Sequence, residues 1–181
     1  HIASKQVTVS QAAAQVTQPS APSPTTPPSP PPTIDSKGPE GVVDTPTEGA
    51  GGLTGAIAVS GWAVDDTGVT KVEIWRSRVI GENGSNNLVY IGNALFVEGA
   101  RPDVAALHSA KPHATRAGWG MLVLSNMLPN ADGSPGRGNG TYTLHVFAHD
   151  AAGRSTKLGK LTITCSSKLG TPPFGRMHTP Q

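Results

Sequence analysis

At 181 residues, with charged residues at 14%, aromatics at 4%, 22 Gly and 17 Pro, the chain has apolar material for one domain of ordinary size plus tails. Its formal charge of +2 is small and its Lys and Arg residues are scattered, so nucleic acid finds no electrostatic footprint and is not expected as a partner. No window approaches the roughly 18 uninterrupted apolar residues of a membrane helix, and a single cysteine, Cys165, excludes an internal disulfide and any multi-cysteine zinc site.

Residues 1–16 contain QVTVS, whose alternation of β-branched and polar residues reads as a strand. It is expected to be the terminal strand of a preceding domain. Residues 17–38 form a Pro/Ser/Thr-rich linker that opens with TQPSAPSPTTPPSPPPT, Thr17 to Thr33. Proline fixes φ and lacks an amide donor, so this stretch is expected to be disordered, extended and semi-rigid. Docking to a proline-recognising domain is the other use of such a segment. No signal-peptide pattern opens the chain, but its first residue is His1, so this is silent on secretion.

Residues 39–168 read as the domain. GAIAVSGWAVDD places Ile57, Val59, Gly61 and Ala63 on one face, and DDTG supplies a turn. VTKVEIWRSRV follows with Val72 and Ile74 sharing a face, then the turn ENGSNN, then an extended run LVYIGNALFVEG. Residues 101–112 look helical, with Pro102 suited to a first turn and Pro112 closing the stretch. GTYTLHVFAHD alternates most cleanly: Tyr142, Leu144, Val146 and Ala148 on one face, Thr143, His145, Phe147 and His149 on the other. After the turn DAAG, KLGKLTITC returns, with Cys165 in phase with Leu161 and Ile163 as a small core residue. Short strands, frequent Gly and Asn turns and one helix predict an all-β antiparallel sandwich. Residues 169–181 contain PFGRMHTPQ, which repeats the outline P-x-G-x-x-x-T-P of PEGVVDTPT near Pro39. They are expected to open a following repeat.

The series SGWAVDDTGVTKVEIW and NGTYTLHVFAHDAAGRSTKLGKLTIT closely resembles the bacterial immunoglobulin-like (Big-type) modules of large secreted and surface proteins. The resemblance covers roughly residues 52–164 and implies an immunoglobulin-like sandwich, with strand B turning into C and strand F into G. It also implies that the B–C and F–G loops share a pole. Tyr142, two residues before Leu144, has the spacing of a tyrosine corner, and Leu144 falls where antibody domains carry their second cysteine. The middle departs from the pattern: residues 99–117 form an insertion that either carries function or covers an open sheet edge.

Asp65, Asp66 and Asp150 end strands at the shared pole and form a candidate Ca²⁺ set, Ca²⁺ being a hard cation that takes six to eight oxygens. Asp in DDTG and DAAG also fits plain turn geometry, which is the preferred reading. No other cofactor is expected. His145 and His149 share a face but stand roughly 13 Å apart along a strand, too far to chelate one ion, and read as surface residues. No G-x-S-x-G elbow or H-E-x-x-H is present, and Gly-rich GSPGRGNG reads as a hairpin loop.

Trp62 and Trp75 are out of phase with the core, so each should point off the sandwich as a candidate ligand-binding residue. The preferred reading is that the insertion, through Val104 and Leu107, folds over one of them. The leading expectation is a non-catalytic structural or adhesive repeat, extracellular or on the cell surface, whose partners are neighbouring domains of the same chain. A polysaccharide or a surface protein is the candidate further partner. The alternative is a carbohydrate-binding accessory module of a secreted enzyme.

Overall fold

The computed structural model of the protein describes residues 37–83 and 87–167. The expected upstream strand (1–16), nearly all of the linker and the expected start of a further repeat (169–181) lie outside the described residues.

In chain order the strands are β1 (Glu40–Thr45), β2 (Ala50–Leu53), β3 (Ala56–Val64), β4 (Val69–Ser77), β5 (Leu88–Asn93), β6 (Leu95–Phe96), β7 (Gly118–Leu124), β8 (Asn139–Asp150) and β9 (Ser155–Ser166). One helix, α1 (Pro102–Leu107), lies in the insertion. Two sheets result, a four-stranded one ordered β1, β3, β7, β6 and a five-stranded one ordered β2, β9, β8, β4, β5. The all-β sandwich expected from alternation is the one observed. Its pairs are antiparallel except at one edge, where β2 runs parallel to β9.

Ile57, Val59, Val72, Ile74, Tyr142, Leu144, Val146, Leu161 and Ile163 lie together in the core between the sheets. Alternation puts one such side chain inward every second residue, and each contributes about 1.5–3 kcal/mol when fully buried. Cys165 joins them, and burial pushes its thiol above the ordinary value. Trp119 of β7 adds the largest ring, opposite Gly61 of β3.

The corner before β8 forms as its spacing predicts. The Tyr142 hydroxyl reaches Pro129 O at 2.6 Å and Asn139 O at 2.9 Å, tying the loop to the strand that buries the ring. Within that loop, Asn130 Nδ2 donates to Ser134 Oγ and Pro135 O, while its Oδ1 accepts from Asn139 N. GSPGRGNG is therefore an ordered connection into β8.

Three readings change. The run LVYIGNALFVEG is not one strand: at Ala94 the amide donates to Val72 O, and the chain then leaves the five-stranded sheet to form β6 in the other. β7 occupies a stretch for which no strand is expected from the alternation read above. The helix is six residues long, because its backbone leaves helical geometry at His108 and His113 adopts a left-handed conformation just after Pro112.

Candidate functional site

The shared pole is present. Ala151 N donates to Gly68 O at 3.1 Å, joining the turn after β8 to the turn after β3. Asp65 Oδ1 accepts from Thr67 N at 2.8 Å and Thr67 Oγ1 at 2.7 Å, and Asp150 Oδ1 accepts from Arg154 N at 2.7 Å. Both are turn-forming carboxylates, as Asp two to four residues before an amide often is. Each keeps a buried Oδ2 with no hydrogen-bond partner among the described residues. Asp66 faces Lys111, 3.7 Å away, whose Nζ also binds Glu40 at 2.7 Å. The Lys111 hydrogen bond holds the Glu40 carboxyl below its ordinary value. Among the described residues no group of three or more His, Cys, Asp or Glu is placed to hold a metal ion. The three aspartates of the candidate Ca²⁺ set thus have turn and ion-pair roles here.

Trp62 and Trp75 occupy the outer faces of different sheets. Trp62, on β3, packs against a small cluster of Val64, Val104 and Ala117. The His108 ring lies over it at 5.6 Å between centroids. The insertion therefore covers Trp62, and the charged pairs Arg101 to Asp44 and Lys111 to Glu40 pin it to β1. Of the two residues expected to do the covering, Val104 does so while Leu107 is 79% exposed. The helix ends at Leu107, and it is His108, the residue after it, that turns onto the indole.

Trp75 lies on the outer face of the five-stranded sheet, half-buried. Tyr90 of β5 meets it edge-on, 5.1 Å between centroids at 63°. Its indole Nε1 donates to Glu73 Oε2 at 3.2 Å, which fixes the ring's orientation. The same Oε2 stands 3.1 Å from His149 Nε2, and Lys71 Nζ binds Oε1. Burial pushes the Glu73 carboxyl up, but the hydrogen bonds from Lys71 and Trp75 and the charge of His149 outweigh it, so the group lies below the ordinary 4.5.

On the other side of Trp75, Ser77 Oγ is 3.0 Å from His145 Nε2. His145 and Trp75 are directly opposed across β4 and β8, and Lys160 flanks the histidine from β9. Alternation places His145 outward correctly, yet it is 7% exposed and not a surface residue. Burial, then the charges of Lys157 and Lys160, push its pKa below the ordinary 6.5. Lys157 lies over the Phe147 ring, 5.4 Å from its centroid. Glu73, Tyr90 and Lys157 carried no sequence signal, because what unites them is the cross-strand register of β4, β5, β8 and β9.

The resulting face has an aromatic centre with a carboxylate–histidine pair at one end and a serine–histidine pair at the other. No family model matches the chain, and no curated protein matches it. Among solved structures it is similar to a DUF4784 family protein from Bacteroides caccae, at 16% identity and a TM-score of 0.35, over 68% of this chain and 23% of that one. The chain thus spans about a quarter of that protein's length.

Proposed function

We propose that this chain is a non-catalytic immunoglobulin-like module of a large secreted or cell-surface bacterial protein, acting as a structural and adhesive repeat. The strand order supports the immunoglobulin-like part, with β1, β3, β7 and β6 in the places of A, B, E and D, and β9, β8, β4 and β5 in those of G, F, C and C′. The tyrosine corner supports it as well.

One observation carries the function. Glu40 pairs with Val64 beside the turn after β3, whereas Ser166 pairs with Asn139 at the far end of β8. The described chain therefore comes in at one pole and leaves at the other, and a module so connected adds length to a string. β8 and β9 each have 12 residues, so each copy adds roughly 40 Å. Small-angle scattering of one chain and of two joined in tandem tests this: the maximum dimension should grow by at least that increment. A tandem that folds back to the dimensions of one copy sinks the spacer reading. Protease treatment of intact cells tests location, with release of peptides from residues 37–167 expected before lysis.

The second reading, a carbohydrate-binding accessory module, is favoured by the Trp75 and Tyr90 pair on an open sheet face. Aromatic rings offer a flat surface to the C–H face of a sugar. Trp62 does not share that face, so this reading rests on Trp75 alone of the two tryptophans. Loss of polysaccharide retention in Trp75→Ala, with retention kept in Trp62→Ala, is its expected signature.

A further inference from the structure

We propose that the outer face of the five-stranded sheet binds an acidic oligosaccharide, one carrying uronate carboxylates or sulfate esters, laid along β4 across Trp75. This rests on the carbohydrate-binding reading and narrows it to a ligand class.

Residues of like phase on β4 set the length of the site. Glu73, Trp75 and Ser77 follow one another on the outer face, so the two polar pairs at its ends stand roughly 13 Å apart, about the reach of two or three pyranose rings. Trp75 lies between them with its indole nitrogen already bonded to Glu73, so the ring is held in one orientation before any ligand arrives. Fixing a stacking surface beforehand removes part of the ordering cost of binding. Glu73 with His149, and Ser77 held in place by the buried His145, supply hydroxyl-matching donors and acceptors on either side.

Charge selects the class of sugar. Lys71, Lys157 and Lys160 are exposed on this face. Glu73 is the one acid on β4, β5, β8 and β9 apart from Asp150, which is buried in the polar turn. Lys71, Trp75 and His149 all direct hydrogen-bonding groups at Glu73. Three lysines against one engaged carboxylate favour a negatively charged ligand. The make-up of the face also separates a glycan from a protein partner. Its accessible apolar groups are mainly the rings of Trp75, Tyr90 and Phe147, with a single partly exposed aliphatic residue, Leu88, opposite Ser77, whereas the strongly exposed Leu95 and Leu122 belong to strands of the opposite sheet.

Affinity electrophoresis of the full chain in gels containing polygalacturonate, heparin or an uncharged glucan tests the inference. Retardation is expected in the acidic gels and not in the glucan, polygalacturonate and heparin distinguishing carboxylate from sulfate. Trp75→Ala should weaken it roughly tenfold or more, as should the double reversal Lys157→Glu with Lys160→Glu. Tyr90→Ala, at a more exposed ring, provides the check should Trp75→Ala fail to fold. Equal retardation by the uncharged glucan, lost in Trp75→Ala, would overturn the acidic preference and leave the carbohydrate reading standing. Retardation that survives both aromatic variants, or that single-stranded DNA matches, means charge alone and overturns the proposal. No retardation in any gel removes the proposal and the carbohydrate reading together.

Discussion

Gly61 of β3 and Trp119 of β7 face each other across the sheet, and the glycine exists to let the indole in. A methyl group at position 61 would stand 2.7 Å from Trp119 Cζ2 and would collide with the backbone oxygen of Val42 on the other side. Trp119 is 2% exposed and lies in the central core. With no disulfide between the sheets, this ring supplies much of the volume that joins them. Gly61→Ala should therefore lower stability by about 1–3 kcal/mol through overpacking, read as an earlier urea midpoint. An unchanged midpoint would mean that β1 and β7 yield more easily than a packed core does.

Tyr142→Phe keeps the buried ring and removes only the hydroxyl. Pro129 O and Asn139 O then lose their shared donor, and a loss of about 1–2 kcal/mol is expected. Amide exchange in residues 129–139 should quicken more than in β8 itself, since the bond fixes the corner and not the strand. Uniform quickening across both sheets would assign the hydroxyl a global role instead.

How much of this was legible beforehand depends on how far each feature reaches along the chain. Val72 with Ile74, and Tyr142 with Leu144, declare themselves locally, because burial on one face of a strand repeats every second residue. The aspartates of DDTG and DAAG are readable as turns for the same reason: their acceptors meet amides two and four residues on. His145 is a half-success, its face fixed by alternation and its burial by neighbours on β4 and β9. Arg76 was out of reach. It shares the inward phase of Val72 and Ile74, a position where a charge looks like an error until Glu82, beyond the strand end, is seen to meet it. The covering of Trp62 was readable in outline through Val104, but a six-residue helix leaves the facing of its last turn to contacts, and so His108 stood in for Leu107.

Histidine 145 should make stability depend on pH near neutrality. Its folded pKa is depressed, so the unfolded chain binds the proton more readily. Stability is then full above about 6.5 and declines as pH falls below it, until the folded state also takes up the proton. His145→Asn should flatten that part of a plot of melting temperature against pH. A slope that persists unchanged in the variant would place its origin elsewhere.

The pair Arg76 and Glu82 acts in a separate, more acidic window. Arg76 is 5% exposed, and its guanidinium meets the carboxylate twice, Nη1 to Oε2 at 2.6 Å and Nη2 to Oε1 at 2.5 Å. Those hydrogen bonds, assisted by the Val79 amide, hold the Glu82 carboxyl down to about 2 from an ordinary 4.5. A depressed carboxylate pKa stabilises the fold above 4.5, and the contribution disappears as pH falls from there towards 2. Glu82→Gln should cost about 1–3 kcal/mol at neutral pH, a range that allows for the partial exposure of Glu82. Because Arg76 would remain buried beside a neutral partner, the larger share of that loss comes from the unpaired guanidinium. The double variant Arg76→Met with Glu82→Gln separates the two effects: it should recover part of the stability lost in Glu82→Gln while keeping the flattened acid limb. A double variant less stable than Glu82→Gln would show that Arg76 supports the end of β4 through its packing and its bond to Ser77 O as well as through its charge.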